Sequence, residues 1–178
     1  MIVPVFVDAD VLIHAVDARD MDKRARAAEW MARLWSERSG RTSMQVLAEY
    51  YVTVTRRLRP PVSTDDAWND VKSLLAWQPQ SFDAALLQRA RGIELRHRLN
   101  WWDSMMVAAA QLQDCAVLLT EGLPDGAAFG SVTVRSPFTL SAEEPRAGYD
   151  VTSNVRRHPA RGRPRKRDAQ SSIRKAGA

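Results

Sequence analysis

Two aspartates, Asp8 and Asp10, stand one residue apart directly after the apolar run 3–7 (Val-Pro-Val-Phe-Val). Such a run fits a central parallel strand covered on both faces. Ligands of open α/β sheets bind just beyond the carboxyl ends of the strands. A carboxylate placed there meets substrate, whereas one in mid-strand is a costly buried charge. Three further acids sit at or near the ends of expected elements: Glu49, Asp103 and Glu121. Gathered at one sheet edge, Asp8, Glu49, Asp103 and Glu121 would repel one another unless a cation neutralised them. A ligand set made only of oxygen, with no Cys or His group, is what Mg²⁺ or Mn²⁺ prefers. An ion so held lowers the pKa of a bound water and stabilises charge on a phosphoryl oxygen.

Each acid also has an ordinary role open to it. Asp103 lies three residues after Asn100, where it would complement a helix N-terminus. Glu49 lies nearly opposite its helix's apolar stripe, the place of a solvated glutamate. Glu121 falls in a Gly-rich loop. Asp10 either shares the site or faces solvent. Asp8 is the hardest to dismiss, because the apolar run leads straight into it. His14, His97 and His158 show no ligand spacing, and none is assigned a role.

The elements that must carry these acids follow from periodicity. The apolar residues Val11, Leu12 and Ile13 lead into a charged turn. A helix is expected over 23–37, with Ala27, Met31, Leu34 and Trp35 as its stripe and Gly40 ending it. A brief strand over 41–43 precedes a helix over 44–58, capped by Ser43 and stopped by Pro60 and Pro61. Helices follow over about 63–76, 83–96 and 101–113, the last capped by Asn100. Residues 77–81 read as a connector or a short edge strand. Residues 116–119 form a second buried strand ending at Thr120 and Glu121, and 132–134 a short third. This order predicts an α/β fold with a parallel sheet.

The chain of 178 residues has room for one ordinary domain and a tail. Its start has neither a basic n-region nor a small-residue cleavage site, so it does not read as a signal peptide. The single cysteine, Cys115, lies beside an apolar run and fits a buried, inert thiol. Together these point to the cytoplasm. The net charge of +5 is unevenly spread. Nine of the 26 Lys/Arg and one of the 21 Asp/Glu lie from Arg156 onward, so that stretch carries +8 and residues 1–155 carry −3. A mildly acidic body suits a cation-binding centre better than a broad basic face. Residues 141–178, rich in Arg, Pro, Gly, Ser and Ala, are expected to be a disordered basic tail after a domain over 1–140.

Several blocks are recognisable. Residues 6–12 (Phe-Val-Asp-Ala-Asp-Val-Leu) resemble the opening of PIN domains. Residues 43–51, around Glu49, resemble the segment that supplies the PIN glutamate. Residues 102–110, around Asp103, resemble the third acidic segment, and 118–123, around Glu121, the fourth. The likeness runs from about Ile2 to Phe138 and is nearest to the VapC-like toxins of toxin–antitoxin modules. It implies a three-layer α/β/α domain acting as a Mg²⁺- or Mn²⁺-dependent endoribonuclease, usually dimeric and held inactive by a small antitoxin. Asp8, Glu49 and Asp103 then carry over as metal ligands and water activators. The fourth position departs from the pattern: the acid commonly follows the glutamate, and that place here is Gly122. Glu121 could shift in, Asp125 could reach from its loop, and Thr120 could hydrogen-bond a ligand water. In the tail, Arg161, Gly162, Arg163, Pro164, Arg165 and Lys166 resemble an AT-hook, whose Gly-Arg-Pro core enters the minor groove of A·T-rich DNA. A generic polybasic segment that contacts DNA or RNA through phosphates explains the same residues.

Two other functions compete. In a HAD-type phosphatase, Asp8 would be the nucleophile and Asp10 the acid/base. That enzyme needs a lysine at a strand end, and residues 1–155 contain only Lys23 and Lys72, neither so placed. A catalytically weak PIN fold, tethered to nucleic acid by the tail, is the non-enzymatic alternative.

Overall fold

The computed structural model describes residues 3–139. The expected tail, with Arg161, Arg163, Arg165 and Lys166, lies outside the described residues.

A five-stranded sheet forms the centre, in the order β2-β1-β3-β5-β4. Strand β1 (Val5–Val7) pairs in parallel with β2 (Gly40–Arg41) on one side and β3 (Val117–Leu119) on the other. Strand β3 pairs in parallel with β5 (Val132–Arg135), and β4 (Ala128–Phe129) closes the edge antiparallel to β5. Phe6, Val7, Leu118, Leu119, Val132 and Val134 are completely buried. Each such side chain contributes on the order of 1.5–3 kcal/mol relative to an exposed one. Val3, expected in the first strand, stands outside it and is exposed.

Helices connect the strands: α1 (Ala9–Val16), α2 (Met21–Glu37), α3 (Met44–Val52), α4 (Thr64–Leu74), α5 (Ala84–His97) and α6 (Trp101–Leu112). Ser43, Ser63, Asp83 and Asn100 accept backbone N–H bonds at the starts of α3 to α6, with Ser43 and Asn100 in the cap positions expected of them. Helix α1 was not expected. Asp8 ends β1 and in the same residue caps α1, its carboxylate accepting the Ala9 N–H. The helical spacing of Val11, Leu12, Ala15 and Val16 carries the signal that the run of apolar residues concealed.

Three local expectations are corrected. Helix α2 ends at Arg38 in the left-handed conformation (φ 56°). Gly40 lies in β2 because a Cβ there would stand 2.5 Å from the Trp77 ring. The stripe of α2 buries Ala27, Trp30 and Leu34, while Trp35 is exposed; Trp30 Nε1 donates to the Pro137 carbonyl. The helix expected over 44–58 stops at Val52 and continues as a wider π-type turn, Thr53–Arg57. Gln80 pairs with Ser43 in an isolated bridge, tying the 77–81 connector to the start of α3.

Candidate active site

The three parallel junctions β1–α1, β2–α3 and β3 with its following loop end on the same edge of the sheet, since β1, β2 and β3 run in one direction. Each delivers polar groups there. Asp8 and Asp10 come from the start of α1, Glu49 from α3, Asp103 from the first turn of α6, and Thr120 from the end of β3. Asp8, Asp10, Glu49 and Asp103 all line one open cleft of about 870 Å³.

Thr120 is fully buried and joins the two aspartates. Its Oγ1 lies 2.7 Å from Asp8 Oδ2 and 3.2 Å from Asp10 Oδ2, and it accepts the Gly122 N–H at 2.9 Å. Asp10 Oδ2 also accepts the Glu121 N–H at 2.6 Å. Asp103 is held by Asn100, whose Oδ1 accepts the Asp103 N–H at 2.9 Å and whose Nδ2 donates to Asp103 Oδ2 at 2.6 Å. A place in the first turn of α6, where an acid complements the helix N-terminus, and a place in the cleft are therefore compatible for Asp103.

Every carboxyl in the cleft is pushed above its usual range. Burial, then the charge of Asp10, and more weakly Glu49, raise Asp8 to about 7, although its bonds from Thr120 and Ala9 oppose the shift. Burial raises Asp10 against the donors of Glu121, Thr120 and Val11. Glu49 is raised by burial and then by Asp10, with Arg57 opposing, and Asp103 is raised by burial. Burial is the leading cause of each shift, and neighbouring carboxylates add to it at Asp8, Asp10 and Glu49.

The sequence expectations fare unequally. Asp8, Glu49 and Asp103 meet in the cleft, and so does Asp10, which the pattern left open. Glu121 is brought to the same corner, yet its carboxylate turns to Lys23 Nζ (2.7 Å) and His14 Nε2 (3.2 Å), and only its backbone N–H serves the site. Asp125 is engaged elsewhere, accepting from Arg135 Nε and the Ser136 N–H. Gly122 lines the cleft, where a Cβ would meet only Thr120 Oγ1, at 3.4 Å. Its missing side chain is not a demand of packing. Arg57 was not singled out, because nothing marks an arginine after a helix until the π-type turn sets it in the cleft. Among the described residues no lysine lines the cleft, so they do not assemble the phosphatase constellation there.

The donor set suits a hard divalent cation. Asp10 Oδ1 is buried without a hydrogen-bond partner among the described residues. Among the described residues no three His, Cys, Asp or Glu side chains close into a tight cage. Mg²⁺ does not need one, because it keeps several waters and binds through one or two carboxylates directly.

Solved structures resemble the chain in fold. One described as a toxin–antitoxin complex from Klebsiella pneumoniae aligns with a TM-score of 0.53 at 15% identity, covering 75% of this chain and 97% of that one. One of FitAB bound to an IR36 DNA fragment aligns with a TM-score of 0.59 at 20% identity, covering 78% and 99%. Mycobacterium tuberculosis VapC20, described as a sarcin–ricin-loop cleaving toxin, aligns with a TM-score of 0.47 at 19% identity, covering 64% and 86%. No curated protein sequence matches the chain. The PIN domain model matches residues 5–122, a span that takes in Asp8, Glu49, Asp103, Thr120 and the sheet strands that bring them together. With that match over most of its length, the chain belongs to the PIN domain family.

Proposed function

We propose that this protein is a divalent-metal-dependent endoribonuclease that hydrolyses RNA phosphodiester bonds, and that it is the toxin of a type II toxin–antitoxin module. The observation that carries this reading is the meeting of Asp8, Asp10, Glu49 and Asp103 in one cleft, with a buried oxygen of Asp10 left unpartnered. Asp8, Asp10, Glu49 and Asp103 are the residues that would hold Mg²⁺ or Mn²⁺. When bound, the ion supplies a water of lowered pKa and charge stabilisation at the phosphoryl oxygens. The chain's own residues set the stage for that chemistry. Thr120 and the Glu121 amide fix the Asp8 and Asp10 carboxylates, Asn100 fixes Asp103, and Arg57 offers the only positive side chain that the described residues bring to the lining. Asp10 takes the fourth place that Glu121 and Asp125 leave vacant by their other contacts.

The fold-level likeness to the Klebsiella toxin–antitoxin complex supports an antitoxin as partner, and we take the toxin itself to act as a homodimer. No described helix is long and apolar enough to cross a membrane, and we place the protein's action in the cytoplasm. Asp8→Asn is the decisive test, because it removes charge with almost no change of volume. The variant should fold and lose Mn²⁺-dependent cleavage of RNA; undiminished cleavage would refute the assignment. If the unsubstituted chain binds RNA but never cuts it, the catalytically weak binding module is the better account.

A further inference from the structure

Four of the ten exposed large hydrophobic side chains of the described residues gather on one feature, the rim of the acidic cleft: Met44, Val52, Phe82 and Trp102. Scattered apolar side chains on a surface need no explanation, but a contiguous group beside a reactive centre does. Trp102 and Phe82 are the most open of the four, at 62% and 58% exposure, so their rings face solvent. Trp102 directly precedes Asp103 in the first turn of α6. Phe82 directly precedes Asp83, the cap of α5. Both rings are thus attached at rigid helix starts, one of them a single residue from a catalytic carboxylate.

The charge of the cleft limits what can be bound there. Among the described residues, four carboxylates line it against the one guanidinium of Arg57. Polyanionic RNA cannot be held in this cleft by a row of phosphate contacts, as it is on a basic groove. Apart from a cation, Arg57 and the uncharged polar groups of Gln45 and Thr53, the described lining offers RNA mainly apolar faces. Base–aromatic stacking is the interaction that such faces make with nucleic acid, and it requires bases whose faces are free. In a duplex those faces are covered by neighbouring pairs.

We propose that Trp102 and Phe82 are substrate-positioning residues that stack on unpaired bases flanking the scissile phosphate, with Arg57 contacting that phosphate's strand. The proposal rests on the ribonuclease reading for its substrate and deepens it by assigning the selection of unpaired RNA to these side chains. A protein partner covering the same rim is the competing occupant. The two rings beside a phosphodiester-type centre favour RNA, since affinity in an acidic cleft has to come from uncharged contacts.

The test uses the full chain carrying Asp8→Asn, so that RNA is bound and not consumed, with Mg²⁺ present. A fluorescein-labelled, mixed-sequence single-stranded RNA is titrated by anisotropy beside the same RNA annealed to its complement. Salt of roughly 0.2 M suppresses backbone attraction. Adding Trp102→Ala or Phe82→Ala should weaken single-strand binding by about five- to a hundred-fold, leave duplex binding unchanged, and spare the thermal melt. Trp102→Phe should retain most of the affinity, which a merely structural role for the indole does not predict. A single strand made of abasic nucleotides should bind with and without Trp102→Ala alike. Equal binding by all variants, or equal loss for single strand and duplex, overturns the proposal. So does unchanged RNA binding alongside lost binding of a co-expressed antitoxin, which would assign the rim to protein. If the chain without Asp8→Asn cuts no RNA yet Trp102→Ala still selectively weakens the single strand, the ribonuclease reading fails and the stacking role stands.

Discussion

Thr120 shows what one hydroxyl can do between two carboxylates. It has a single proton to donate and lies within hydrogen-bond reach of Asp8 and Asp10 at once, so it satisfies one and leaves the other short. The remaining repulsion is stored in the folded state. Asp8 is held near 7, well above its ordinary value of 3.8, chiefly by burial and then by Asp10. Between those two values the folded form binds more protons than the unfolded chain, so stability falls as pH rises through the window. Without metal, the protein should therefore be more stable near pH 5 than near pH 8. Asp8→Asn keeps an acceptor for the Ala9 N–H but carries no charge. At pH 8 it should raise metal-free stability by about 1–3 kcal/mol, and the gain should fade toward pH 4. Urea midpoints at the two pH values measure this. Mn²⁺ should stabilise the unsubstituted protein and not the variant. A variant that is less stable at pH 8 would show that Asp8 is held by favourable contacts and does not await a cation.

At the scale of the element, the helix starts decide the site. Three of the cleft's acids sit at or within three residues of an N-cap: Asp8 as a cap itself, Asp10 in the first turn of α1, Asp103 in the first turn of α6. Helix N-termini stabilise negative charge, which lets α1 and α6 carry acids into a partly buried space. The Asn100 cap does this twice, through both of its side-chain atoms. Asn100→Ala should cost about 1 kcal/mol of stability and free the Asp103 carboxylate to rotate. Metal-dependent cleavage should then fall while the far-ultraviolet spectrum stays unchanged; intact activity would show that Asp103 is positioned by something else. These helix starts are also where the sequence was most and least legible. Caps written in Ser43 and Asn100 predict the starts of α3 and α6, because a cap is a local interaction between near neighbours. Helix α1 was hidden because the residues of 3–13 other than Asp8 and Asp10 are apolar in both the strand and the helix. The destination of Glu121 was unreadable for the opposite reason. Its partners His14 and Lys23 lie about a hundred positions away in the sequence, and no local pattern announces a contact of that span.

For the whole molecule, the telling fact is the separation of charge. Residues 1–155 carry −3 and contain the acidic cleft, while the stretch from Arg156 carries +8. Attraction of RNA from a distance therefore cannot come from the centre that would cut it. Polybasic segments supply that attraction without reading sequence, and they lose it as salt rises. The division of labour predicts how a chain ending at Thr139 behaves. That end point keeps Pro137, whose carbonyl accepts from Trp30, and Phe138, which packs against His14 and lies under Lys23. The shortened protein should fold and cleave RNA at saturating substrate with little change in kcat. Its KM should rise steeply at low salt, and the two forms should converge as salt increases, because each lost phosphate contact removes roughly 0.7–0.9 from the slope of log K against log salt. The outcome also separates the two readings of the chain. Cleavage that survives truncation belongs to the acids of residues 3–139. Cleavage that vanishes at every substrate concentration would place the tail inside the working site, and RNA binding that disappears without cleavage ever having been present would make the fold a scaffold for the tail.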